Sequence, residues 1–323
     1  MGSRLFASLV AATLAAAPIF CQPTRAPKAL AAKAWTSPRT ADGHPDLEGV
    51  WTNATITPFE RPREYSQHLV LTDAEVKAVE QEAAESRVDR PPPPGDPGGY
   101  NQFWFDRGTT VVATRRSSLV IDPADGRVPP LMPEAQKRQE AARTYARMHP
   151  ADGPEDRSLA ERCLLWGTAG PPMMPGPYNN NYQIVQGRGY VAILVEMIHD
   201  VRRIPTDGNP HLAKNIRQWM GDPRGHWEGD TLVVDTTNFT DKTHYRGADE
   251  NLHLIERFRR VDPDTLLYEF TVDDPTAFTR PWTAEIPMTR STGSVFEYAC
   301  HEGNYALDDI LRGARREERQ GSR

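Results

Sequence analysis

The sequence predicts a mainly β (α+β) protein, built as an antiparallel β-barrel or strongly curved sheet with a few peripheral helices. From Tyr182 onward, segments rich in β-branched and aromatic residues follow one another and are separated by short turn sequences. Proline makes up 29 of the 323 residues, about 9%, which excludes a chain made mostly of long helices. Helical patterns are concentrated before residue 166, and we therefore expect the helices to pack outside the sheet.

Composition excludes several classes of protein. Hydrophobic residues are 38% and charged residues 25%, as is ordinary for a globular protein, and three cysteines are too few for a disulfide scaffold. The net charge of −6 does not indicate nucleic-acid binding. No phosphate-binding loop, dinucleotide fingerprint or nucleophile elbow is present, so the sequence predicts no cofactor, and no spacing indicates a metal.

The beginning of the chain has the pattern of a signal peptide over residues 1–21. Arg4 precedes an apolar stretch from Leu5 to Phe20, which is shorter than the roughly 20 residues that a membrane span needs. The sequence therefore predicts a periplasmic or secreted protein without a stable membrane span. A linker over 22–40, one β-rich domain over 41–316 and a tail over 317–323 are expected, with two domains as the alternative.

Export would leave two cysteines in the mature chain, Cys163 and Cys300. In an oxidising compartment two thiols can close one disulfide, and we expect this bond. The alternative is a pair of buried, unbonded thiols.

The first half of the chain carries most of the helices. Thr72 and Glu75 form a capping box before a helix over 73–87, and Pro133 opens a helix over 134–148. A short helix over 156–165 and strands near 46–51, 109–114 and 118–121 are also expected. The loop 167–181 carries Met173, Met174, Tyr178 and Asn179–Asn181, which we interpret as an adaptable rim over a pocket mouth.

The second half is predicted to be strand after strand, over 182–186, 190–201, 231–239, 252–261, 265–273, 278–288 and 294–301. If Asp262–Asp264 is a three-residue loop, Arg257 pairs with Glu269, which is favourable across two antiparallel strands. This register points Glu256 into an apolar face, where an unpaired carboxylate is costly.

Two further strands each place a polar residue on an apolar face. Arg280 shares a face with Trp282, so it needs an anion such as Glu256 or a ligand carboxylate. His199 continues the apolar face of the strand 190–201, with Glu196 on the opposite face.

These residues predict an exported enzyme that performs acid–base chemistry on a small polar or anionic ligand in a barrel pocket, as a lyase, isomerase or hydrolase. The catalytic candidates are Glu256 as acid or base, Arg280 as anion holder and His199 as proton shuttle. The expected ligand contacts are Trp282, Tyr268, Phe258, Glu196, Tyr178 and Asn181. The alternatives are a structural Glu256–Arg280 ion pair inside a non-catalytic ligand-binding protein, and an interaction protein of the cell envelope.

Two resemblances accompany this interpretation. Gly49-Val50-Trp51 at the first strand is similar to the opening motif of lipocalins. The segments RQWMGD from Arg217, WEGDTLVVDTTNF from Trp227, TRPWT from Thr279 and YACHEGNY from Tyr298 resemble an uncharacterised family of secreted bacterial proteins. That resemblance implies export and a single domain, and it implies no activity.

Overall fold

The protein folds around a ten-stranded antiparallel sheet that curls into a nearly closed barrel. The computed structural model describes residues 35–89, 91–96 and 101–321. The strands are β1 (Gly49–Thr52), β2 (Val120–Asp122), β3 (Asn181–Gly187), β4 (Tyr190–Val195), β5 (Val201–Pro205), β6 (Asp222–Glu228), β7 (Thr231–Thr237), β8 (His253–Asp262), β9 (Thr265–Asp273) and β10 (Trp282–Arg290). Their order is β5-β4-β3-β1-β10-β9-β8-β7-β6, with β2 paired to β10, and this architecture confirms the predicted fold class.

The two ends of this order, β5 and β6, meet at a seam of the barrel. Gly225 of β6 lies so close to β5 that a Cβ on it would be 2.9 Å from Ile204 Cγ2. Among the described residues no backbone ladder joins these two strands. The seam is therefore held by close packing between the strands, which requires glycine at this position.

The barrel interior is filled by alternate residues of the strands. The β8–β9 hairpin has the predicted register, in which Arg257 pairs with Glu269 and Glu256 with Phe270. The inward side chains in the middle of these strands, within 254–258 of β8, 266–272 of β9 and 282–288 of β10, are fully buried, and all except Glu256 are apolar or aromatic. The prediction that Glu256 lies in an apolar face is thus confirmed.

The described residues include three α-helices, namely α1 (Asp73–Ser86), α2 (Pro133–Met148) and α3 (Tyr305–Arg319). Thr72 and Glu75 form the predicted capping box of α1, and Pro133 opens α2. No described side chain of α1 is buried, and α2 and α3 each bury a single alanine. α3 continues into the segment 317–323 that the sequence assigned to a tail.

Several predicted elements were wrong. The strand expected over 190–201 is two antiparallel strands, because Ile198 and His199 have φ values of 61° and 50° and reverse the chain. The strand β6 was missed, since Pro223 and Gly225 are unusual within a strand. Residues 109–114 and 294–301 form no strand, and residues 156–165 form turns instead of a helix.

The folded domain begins earlier in the chain than the predicted boundary at residue 41. Ser37 is buried, and Arg39 forms an ion pair with Asp230 at 2.5 Å, so residues 35–40 are folded rather than a linker. All described residues belong to one compact unit that begins at Trp35. The predicted signal peptide over 1–21 lies outside the described residues.

Candidate functional site

The interior of the barrel contains a buried ion pair between Arg202 and Glu256. Arg202 enters from β5, and its two terminal nitrogens donate to the two carboxylate oxygens of Glu256 at 3.0 and 2.5 Å. The Tyr268 hydroxyl donates to Glu256 Oε1 at 2.8 Å and accepts a hydrogen bond from the Met173 backbone N–H at 3.0 Å. Both charged side chains are at most 1% exposed, so this network links three strands and the 167–181 loop away from solvent.

Two groups of this network, Arg202 and Tyr268, have pKa values raised above their ordinary values. Burial opposes the positive charge of Arg202, but the Glu256 carboxylate outweighs burial and raises the pKa of Arg202. Burial, together with the same carboxylate, raises the pKa of Tyr268 well above its ordinary value. The tyrosine therefore remains a neutral hydrogen-bond donor to the Glu256 carboxylate.

Arg202 is the partner that the sequence interpretation missed. The predicted inward position of Arg280 was wrong, because Arg280 precedes β10, is exposed and pairs with Asp122 at 2.8 Å. The sequence signal for Arg202 is its alternation with Ile204, which places both side chains on the same face of β5. A single straight strand over 190–201 hides this alternation, because the chain reverses at Ile198 and His199 before β5 begins.

The predicted proton shuttle His199 also lies apart from Glu256. It is exposed in the turn between β4 and β5, where its Nδ1 lies 2.8 Å from the Tyr298 carbonyl oxygen. Glu196 in the same turn is buried, and it accepts hydrogen bonds from Asn181 Nδ2 at 2.8 Å and from the Phe296 N–H at 3.1 Å. Glu196 and Asn181 thus fasten the segment 291–304 to the barrel.

The remaining predicted ligand contacts belong mostly to packed regions. Trp282, Tyr268 and Phe258 are fully buried among other aromatic rings, with Phe258 and Tyr268 centroids 4.9 Å apart. Met173 of the predicted rim is fully buried and bonded to Tyr268, so the 167–181 loop reaches the barrel interior. Tyr178 packs against Trp166, with ring centroids 6.1 Å apart.

The expected Cys163–Cys300 disulfide is present. The Sγ atoms lie 2.08 Å apart and the Cα atoms 5.7 Å apart. The bond joins the segment before the 167–181 loop to the segment that leads into α3.

A cavity of about 620 Å³, here called the lateral cavity, lies beside the disulfide-bonded segment. One wall consists of residues between 155 and 171, and the other consists of residues 241–245 together with Trp219. Three aromatic side chains line it, Trp166, Trp219 and Tyr245, and Tyr245 stacks on Trp282 of the barrel core with centroids 6.1 Å apart. Sequence reasoning missed this cavity because its walls come from irregular segments without periodicity.

Charged side chains complete the lining of the lateral cavity. The basic ones are Arg157, Arg162 and Lys242, the acidic ones are Glu155 and Asp241, and His244 adds an imidazole. Burial raises the pKa of Tyr245, which keeps its hydroxyl protonated. The cavity therefore combines apolar ring faces with charges of both signs.

A second group of titratable side chains lies on the outer surface of β7 and β8. His211 contacts Asp222 at 3.0 Å and Asp235 at 3.1 Å, and His253 contacts the other Asp235 oxygen at 2.9 Å. Among the described residues no group of three or more histidine, cysteine or acidic side chains is placed to hold a metal ion. This cluster ties the segment around His211 to the barrel wall.

The fold and these contacts define the class of the protein as a disulfide-bonded antiparallel barrel with a charged lateral cavity. Searches of protein-family models, curated proteins and solved structures gave no match. In the part of the chain that the structure describes, no helix has the length and apolar character to cross a membrane.

Proposed function

We propose that the protein binds a small polar organic molecule in the lateral cavity. The observation that carries this proposal is the combination, in one cavity of about 620 Å³, of Trp166, Trp219 and Tyr245 with charged side chains. Ligand sites in proteins are commonly clefts of roughly 300–1,000 Å³ lined by aromatic residues and a few polar groups. The size and lining of the lateral cavity match that description.

The barrel interior supports ligand binding less well. Its inward side chains pack against one another, and the Glu256 carboxylate is already occupied by Arg202 and Tyr268. Glu256, His199 and Arg280 each bond to different partners, so acid–base catalysis by these three stays a prediction from the sequence. A lipocalin-like function inside the barrel would require displacement of the packed rings.

We also infer that the protein works outside the cytoplasm. The Cys163–Cys300 disulfide supports this location, because such bonds persist in oxidising compartments and are rare in the cytosol. Sequencing the N-terminus of protein made in a secreting host should give a first residue between 18 and about 34. An intact Met1 on the mature protein would contradict export.

The test of ligand binding is a thermal-shift screen against a library of organic acids, amines, amino acids and neutral aromatic compounds. Compounds that bind the lateral cavity should raise the melting temperature of the wild type and fail to do so for Trp219→Ala. Trp104→Ala is the matched control, because Trp104 is 59% exposed and does not line the cavity. A library without any hit that depends on Trp219 would refute the proposal.

A further inference from the structure

The lateral cavity is lined by five charged residues of both signs, Glu155, Arg157, Arg162, Asp241 and Lys242. Arg157 is bonded to Glu161 at 2.5 Å, so its charge is already compensated. Arg162 and Lys242 have no ion-pair partner among the described residues, and the same holds for Glu155 and Asp241. Two cations and two carboxylates thus line one cavity without compensation by direct contact.

This charge distribution selects between classes of ligand. A purely anionic ligand would meet Arg162 and Lys242 but would also be repelled by Glu155 and Asp241, and the reverse holds for a cation. A molecule with one charge of each sign can satisfy both pairs, provided that its charges are separated. Such a molecule also leaves the cavity with no excess charge.

The aromatic lining indicates which uncharged group the ligand carries besides its two charges. Trp166, Trp219 and Tyr245 offer large apolar faces, which pack favourably against an aromatic or bulky aliphatic group. An ammonium group near an indole ring is further stabilised by the cation–π interaction. The cavity volume of about 620 Å³ leaves ample room for a molecule of this size.

We propose that the ligand is a zwitterion, specifically an α-amino acid with an aromatic side chain. Its carboxylate meets Arg162 and Lys242, its ammonium meets Glu155 and Asp241, and its ring packs against the tryptophans. This inference rests on the proposed function, because it names the ligand class of the same cavity.

The experiment compares L-phenylalanine with two analogues, each of which lacks one of its two charged groups. L-phenylalanine carries both charges, phenylpropanoate lacks the ammonium, and phenethylamine lacks the carboxylate. Binding to the full-length mature protein is followed by calorimetry and by tryptophan fluorescence. We expect L-phenylalanine to bind about fivefold or more tightly than either analogue, which corresponds to a partly solvated ionic contact.

Two double variants assign each preference to its side chains. Arg162→Gln with Lys242→Gln should abolish the preference over phenethylamine, and Glu155→Gln with Asp241→Asn should abolish the preference over phenylpropanoate. Arg280→Gln is the control, because Arg280 is exposed and does not line the cavity. These residues are at the surface or partly exposed, so unchanged melting temperatures would verify that each variant is folded.

The outcomes separate this inference from the proposed function. If an analogue binds as tightly as L-phenylalanine, or if the double variants keep the wild-type preferences, the zwitterion inference is wrong while ligand binding in the cavity stands. If none of the three probes binds but other library compounds bind in a Trp219-dependent way, the ligand class is again wrong. Failure of every compound in the library would refute both proposals.

Discussion

At the scale of single residues, the Arg202–Glu256 pair is the most consequential contact in the barrel. It is bidentate, fully desolvated and completed by Tyr268. Removal of one partner leaves the other charge buried without compensation, which is far more costly than removal of both. Glu256 is therefore a structural residue in this arrangement, whether or not it has a further role.

We predict that Glu256→Gln lowers the free energy of unfolding by about 3–5 kcal/mol, because Arg202 loses its counter-charge in the barrel interior. Arg202→Met should cost a similar amount, for the reciprocal reason. Urea denaturation followed by fluorescence measures both. The double variant Glu256→Leu with Arg202→Met should recover much of the loss.

Arg280→Met is the matched control for this prediction. Arg280 pairs with Asp122 at the surface, with both side chains about half exposed, so the change should be within about 0.5 kcal/mol. A fully stable Glu256→Gln variant that had lost its response to ligand would instead favour the catalytic role predicted from the sequence.

The cluster on β7 and β8 predicts a dependence of stability on pH. The hydrogen bond to Asp235 raises the pKa of His253, with a smaller contribution from Asp273. Burial raises the pKa of Asp235, but the hydrogen bond and charge of His253 and the charge of His211 outweigh burial and lower it. The charged pair is thus favoured in the folded state, with His211 and Asp222 beside it.

The sign of each pKa shift sets the pH range. The stability from His253 is fully present below its unfolded pKa of about 6.5 and is lost as pH rises through the higher folded value. The stability from Asp235 is lost only in acid, as pH falls below about 3.8. Melting temperatures between pH 5 and 9 should therefore decline across the upper part of that range. His253→Gln should flatten this decline, and an unchanged profile would contradict the assignment.

At the scale of elements, the seam between β5 and β6 decides whether the sheet can curl into a barrel. It brings Arg202 within reach of Glu256, since β5 and β8 are not neighbours in the sheet. The close approach at Gly225 is the observation on which this closure depends.

We predict that Gly225→Ala destabilises the protein by about 1–3 kcal/mol, because the new methyl group would crowd Ile204 and Thr206. Gly313→Ala is the matched control, since a Cβ there meets no atom within 4 Å and Gly313 lies inside α3. That change should stabilise the protein by about 0.5–1 kcal/mol. Chemical denaturation of the two variants side by side should show effects of opposite sign, and a neutral Gly225→Ala would contradict close packing between β5 and β6 at this position.

At the scale of the whole molecule, the disulfide holds together segments that are far apart in the chain. Cys163 and Cys300 are separated by 137 residues, so the bond restricts a long loop of the unfolded chain. It also anchors the wall of the lateral cavity that contains Arg162 and Trp166.

We predict that replacement of both cysteines by serine lowers the free energy of unfolding by about 2–5 kcal/mol. The same variant should bind cavity ligands more weakly, because the wall that carries Arg162 is no longer tied to residue 300. Denaturation and ligand titration check the two effects separately. Thiol counting under denaturing, non-reducing conditions should find no free thiol at these positions in the wild type.

The sequence by itself determined the hairpin, the inward face of β8 and the disulfide. These features follow from local rules: alternation with period two, a favourable Arg257–Glu269 pair, and two cysteines left by the predicted export. The helix boundaries of α1 and α2 likewise follow from Thr72 with Glu75 and from Pro133. Each rule involves residues that are close in the chain or few enough to pair in only one way.

Only the tertiary structure decided which cation neutralises Glu256 and where a ligand can enter. Arg202 was hidden because residues 196–199 reverse the chain through two positive φ values, which alternation cannot reveal. The lateral cavity was hidden because its walls come from segments around residues 160, 219 and 243, which have no common period and meet through barrel closure. Contacts between distant, irregular segments depend on the geometry of the whole sheet, and that geometry is not encoded in any local pattern.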